Sequence, residues 1–124
     1  MNERSGKLLE EMIDLSIRVI KTCEKLRLPD SVTNQLTKSV TSIGANFSEA
    51  QDASSKKDFM NKIYIAKKEA SETKYWLVIV SKLASQSQET DNYLHKTQQF
   101  IMILQKIINT SRQSNRKSPM ANIS

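Results

Sequence analysis

Leu8, Met12, Leu15, Val19, Cys23 and Leu26 recur at steps of three and four, the spacing of one face of an α-helix. Leu9, Ile13, Ile17 and Ile20 form a second apolar row beside it. So wide a stripe predicts a helix over residues 7–26 that packs on more than one neighbour. Arg27-Leu28-Pro29-Asp30 breaks the pattern, since proline disfavours helix in the residue before it and sets φ for a turn. Asp30 or Ser31 can cap the next helix. Its stripe is Val32, Leu36, Val40, Ile43, Phe47 and Ala50. Gly44 lies inside it at a cost of about 1 kcal/mol relative to alanine, which a close approach of another helix would explain. Asp52-Ala53-Ser54-Ser55 is the next break, with Ser54 or Ser55 as N-cap and Asp58 placed to favour the helix dipole.

The third segment is the clearest. Phe59, Ile63, Ala66, Ala70, Thr73, Leu77, Val80 and Ala84 alternate steps of four and three, a coiled-coil-like seam on a helix roughly 45 Å long. Its small members, Ala66, Ala70 and Ala84, let neighbouring helices come near. Residues 85–89 are polar and read as a loop. A fourth helix follows over residues 90–110, with Thr97, Ile101, Leu104 and Ile108 in one row and Phe100, Ile103 and Ile107 widening it. Short connections between four amphipathic helices predict an all-α fold: an antiparallel up-down-up-down four-helix bundle over residues 1–111. A three-helix bundle with a frayed fourth element is the alternative. Residues 112–124, with Arg112, Arg116 and Lys117 among Ser, Asn and Pro119, read as a basic, disordered tail.

Composition agrees. Two glycines and two prolines in 124 residues are too few for an all-β chain, which needs a turn every ~8–12 residues. The length suits one domain that needs no disulfide or metal staple. The single cysteine, Cys23, excludes an internal disulfide framework and sits in an apolar stripe as a small buried hydrophobe. No stretch approaches the ~18 apolar residues of a membrane span, and the charged N-terminus lacks a signal core. A cytoplasmic protein with no membrane partner is expected.

Catalytic chemistry is hard to find. His95 is the lone histidine, and no Cys-x-x-Cys, His-x-x-x-His or Glu-x-x-His pattern occurs, the last being what di-iron bundles require. A glycine-rich phosphate loop is missing too. The reading is a protein that is no enzyme, with no cofactor, metal or small-molecule substrate.

Charge is more informative. Lysine and arginine exceed the acids to give a net charge of +6, which permits attraction to polyanions. On a wheel at about 100° per residue, Lys56, Lys67 and Lys74 nearly coincide. Lys57, Lys68 and Lys82 fall within about a third of a turn of them, with Tyr64 and Tyr75 in the same sector and no acid. This stripe is either a solvated face or a phosphate-contacting surface with tyrosines for stacking. Asp58, Glu69 and Glu72 share another sector with Ile65, Trp76, Ile79 and Leu83. Those four are either a wider core or an interface buried against another subunit, apolar at its centre and polar at its rim; the second reading is favoured.

Leu28-Pro29, followed by Lys38-Ser39-Val40-Thr41-Ser42-Ile43-Gly44-Ala45-Asn46-Phe47-Ser48-Glu49-Ala50, resembles the signature of a bacterial four-helix bundle family. Its founding members are encoded within intervening sequences of large-subunit ribosomal RNA genes. The run Ile65-Ala66-Lys67-Lys68-Glu69-Ala70-Ser71-Glu72-Thr73-Lys74-Tyr75-Trp76-Leu77 looks like the matching third-helix signature. Lys38, Phe47 and Ala50 stand where the family more often has arginine, isoleucine and glycine, without disturbing the apolar pattern. The resemblance implies a homopentamer, similar in fold to the accessory variability protein of diversity-generating retroelements, which binds nucleic acid and a reverse transcriptase. It singles out Asn46 and Glu49 as polar members, either satisfying the end of the second helix or contacting a neighbour. The expectation is therefore an oligomeric bundle that binds RNA or DNA through Lys56, Lys57, Lys67, Lys68, Lys74 and Lys82. The alternative is a protein-interaction scaffold using the Trp76 face.

Overall fold

A computed structural model of the chain describes residues 1–116. They form four helices, α1 (Glu3–Leu26), α2 (Asp30–Gln51), α3 (Lys56–Leu83) and α4 (Gln88–Arg116). Helix α1 starts earlier than its apolar stripe because the start signal is polar: the Asn2 side chain accepts from the Ser5 amide at 2.8 Å, an N-cap. Arg27 closes α1 in the left-handed region, at φ 51°. Pro29 then sits in the N-cap position with extended ψ, so Asp30 occupies the first turn of α2 and does not cap it. At α3 the Ser55 hydroxyl accepts from the Asp58 amide at 3.0 Å and Asp58 accepts from the Ser54 amide at 3.4 Å. This reciprocal pair follows the capping-box logic. The Ser87 hydroxyl accepts from the Thr90 amide at 3.1 Å and starts α4 at Gln88.

Helix α4 differs from expectation at its far end. It runs to Arg116, past the boundary at Ser111, because nothing between them breaks a helix. Polarity alone made that stretch look like tail. Lys117 and Pro119 lie outside the described residues, as does the rest of the expected tail.

The helices alternate in direction. Helix α1 meets α2 where the Ser16 hydroxyl lies 3.0 Å from the Val40 carbonyl. Helices α2 and α3 share a buried pair of hydroxyls: Thr73 Oγ1 lies 3.0 Å from Ser39 Oγ and 2.8 Å from the Glu69 carbonyl, and Ser39 reaches the Leu36 carbonyl at 3.1 Å. Two protons thus serve three acceptors, and no buried hydroxyl is wasted. The α3 seam is buried from Ile63 to Val80, against Phe47, Leu36, Phe100, Leu104 and Ile108. Among helix pairs adjacent around the bundle, packing is most extensive between α2 and α3 and least between α1 and α4. That last seam is closed at one end. Thr22 donates to Glu89 at 3.0 Å and lies 2.9 Å from the Tyr93 hydroxyl, and Lys25 reaches Glu89 at 3.3 Å. Lys96 and Glu11 pair midway along. Beyond them a cleft lies between the two helices.

Candidate nucleic-acid interface

The third helix carries the basic face because its seam turns the remaining sectors outward. Lys56, Lys57, Lys68, Lys74 and Lys82 are exposed and Lys67 is half-buried. Between Lys56 and Lys82 the face extends roughly 39 Å at 1.5 Å per residue. Among the described residues none of the six pairs with a carboxylate, whereas Lys62, in a different sector, reaches Glu49 at 3.9 Å. Lys74 donates to Gln98 at 2.9 Å, so its row borders the α3–α4 groove.

The acids of α3, Asp58, Glu69 and Glu72, lie in a different sector of the helix from the six lysines. Asp58 is spent on the cap. Glu69 is half-buried, and its pKa is raised, chiefly by burial and then by Glu72, against the pull of Lys68 and Lys38.

The two tyrosines part company. Tyr75 is 61% exposed. Tyr64 is engaged: the Arg112 guanidinium lies 5.5 Å from its ring centroid and donates to its hydroxyl. Arg112 thereby joins the basic face from α4. Sequence reasoning missed it because a residue assigned to a tail has no place on a wheel.

The four apolar residues of the mixed face separate as well. Trp76 and Ile79 pack against this chain's own core, because α2 lies close along that flank of α3. Ile65 is half-buried, and Leu83 is 58% exposed. The Trp76 indole N–H is buried with no acceptor among the described residues. A further apolar row is open on α1, where Ile13 and Ile17 are 49% and 47% exposed.

Asn46 donates to the Ser42 carbonyl at 2.8 Å, within its own helix, and Glu49 reaches α3 through Lys62. Cys23 is buried, and burial pushes its thiol pKa up; His95 is exposed beside Gln99. Among the described residues no three of His, Cys, Asp and Glu gather as a metal site. No helix there is long and apolar enough to cross a membrane.

A structure from Bacteroides thetaiotaomicron, of a protein with unknown function from the S23 ribosomal protein family, superposes with a TM-score of 0.72. It is 30% identical, and the match covers 81% of this chain and 96% of that one. No curated protein matches. The family model for the 23S rRNA-intervening sequence protein matches residues 4–110. That match takes in the whole of α2 and α3 and nearly all of α1, so the chain belongs to the 23S rRNA-intervening sequence protein family.

Proposed function

We propose that this protein acts in the cytoplasm by binding and not by catalysis: a self-associating helical bundle that holds nucleic acid on the basic face of α3. The observation that carries the reading is the set of six lysines on one side of one helix, none neutralised by a carboxylate among the described residues. Solvated surface lysines usually mix with acids; an acid-free stripe suits phosphates, each neutralised phosphate releasing counterions. Tyr75 adds an exposed ring for stacking.

Self-association rests on exposed apolar side chains. On the mixed face Leu83 is exposed and Ile65 half-buried, with Trp76 and Ile79 as its inner edge. Helix α2 has only Asp30, Lys38 and Glu49 as charged residues along its 22 positions, and interfaces are depleted in charge at their centre. A ring of five, which the family resemblance suggests, would multiply a few contacts per copy into avidity. The same apolar rows support the second reading, a scaffold whose partners are proteins alone.

Light scattering with a structured RNA separates the two. The first reading expects a discrete oligomer that gains mass with RNA at low salt and loses it at moderate salt. The Lys67→Glu/Lys68→Glu/Lys74→Glu variant should keep the oligomer and weaken RNA binding at least about tenfold. Wild-type affinity in that variant discards the basic face, and indifference to RNA leaves the scaffold.

A further inference from the structure

The α1–α4 seam is an unfinished side of the bundle. Past the Lys96–Glu11 pair lies a cleft of about 900 Å³ bounded by α1 residues from Glu3 to Glu11 and α4 residues from Ile103 to Ser111. Its floor is core, for Phe47 and Leu8 are 1% and 8% exposed. Its α4 wall is still open to water: Ile103 is 38% exposed and Ile107 half-buried. We propose that this cleft is a docking groove for an acidic amphipathic helix of a partner protein.

Charge selects the partner. Arg4, Lys7 and Lys106 border the cleft, exposed and without a carboxylate partner among the described residues. Of the two acids there, Glu11 is neutralised by Lys96, and Glu3 sits in the first turn of α1, where the helix dipole holds it. Three free cations thus surround an apolar floor. A partner with apolar residues on one face and acids beside them satisfies both.

Shape selects a helix. Each wall spans about 12 Å, or two turns, which is the length covered by anchors at i, i+3, i+4 and i+7 when a helix lies in a groove. The cleft opens to solvent along its side, as a helix laid in from outside requires. Nucleic acid is a poor occupant: the aromatic ring there, Phe47, is buried beyond reach of a base, and an apolar floor offers phosphate nothing. The groove shares no residue with the basic face of α3, so the two can fail separately.

The test uses the full chain and fluorescence anisotropy with a labelled amphipathic peptide about four turns long, leucines at the anchor spacing and glutamates beside them. One control peptide carries lysine for glutamate; another scrambles the leucine spacing. The acidic peptide should bind at least about tenfold tighter than either control. Ile103→Glu, and separately Lys7→Glu/Lys106→Glu, should each weaken it about tenfold. The Lys67→Glu/Lys68→Glu/Lys74→Glu variant should bind it as wild type does. The Lys7→Glu/Lys106→Glu pair changes only exposed positions, so the result stands even if Ile103→Glu misfolds. Equal binding of all three peptides overturns the proposal, as does wild-type affinity in the Lys7→Glu/Lys106→Glu variant. It also falls if Ile103→Glu lowers the oligomer mass while peptide never binds, which would assign the groove to a second copy. Displacement of the acidic peptide by laurate with equal potency in wild type and the double variant would overturn it in favour of a lipid-like ligand.

Discussion

Gly44 and Trp76 show how single side chains are priced in this bundle. Gly44 is helical and buried facing α1, and a Cβ there would meet Met12 Cβ at 3.4 Å and Leu9 Cδ1 at 3.6 Å, which is ordinary contact. Gly44→Ala should therefore stabilise the protein by about 0.5–1 kcal/mol, since it removes glycine's backbone entropy without a clash. A lowered urea midpoint would mean that α1 cannot yield. The close approach inferred from sequence exists, but it does not exclude a methyl group. Trp76 presents the opposite problem, a buried donor with no acceptor among the described residues, a state that costs about 1–3 kcal/mol. Trp76→Phe removes the donor at the expense of some packing, so its stability should stay within about 1 kcal/mol of wild type. A loss beyond about 2 kcal/mol in chemical denaturation would show that the ring's volume matters more than its orphaned N–H.

At the scale of elements, the closed end of the α1–α4 seam depends on protonation. The Glu89 carboxyl is held below the usual carboxylate range by the Thr22 hydroxyl and then by Lys25. A depressed folded pKa contributes stability above the ordinary carboxylate value and loses it as pH falls through the folded one. Wild type should therefore exceed Glu89→Gln in urea midpoint at neutral pH, with the gap closing as the pH falls from the ordinary carboxylate value through the depressed one of Glu89. A gap that survives unchanged at low pH would show that the charge plays no part. The helices themselves were readable from periodicity: Val32 to Ala50 and Ile63 to Val80 are buried along the predicted stripes. What periodicity could not supply were ends defined by polar atoms, such as Asn2 and Ser87, or the continuation of α4 through Arg112. A wheel also could not tell whether Trp76 and Ile79 face a sister helix or a sister subunit, because both are apolar neighbours. The cleft was invisible for a related reason, since it lies between two helices and no residue pattern marks empty space.

For the whole molecule, the six lysines could be grouped in advance because α3 is long and regular, and a regular helix converts spacing directly into a face. Their functional weight depends on what surrounds them, which only packing settles: Glu69 is half-buried, and the Arg112 guanidinium lies over the exposed Tyr64 ring. Binding and docking are then separable at this scale. The acid-free face and the cationic-rimmed cleft use different residues, so charge reversal on one should leave the other intact.

The lysine composition of that face limits what it can know about a ligand. An ammonium is a point charge without the planar fork that lets a guanidinium address the edge of a guanine, and the neighbouring guanidinium of Arg112 is already committed to Tyr64. Such a surface carries little information about base identity. If it binds as proposed it would measure instead: a row of charges roughly 39 Å long is longer than one turn of a duplex, about 34 Å, and would distinguish polyanions by length, stiffness and charge spacing. Selectivity of that kind would be written in the dimensions of the partner, with its letters left unread.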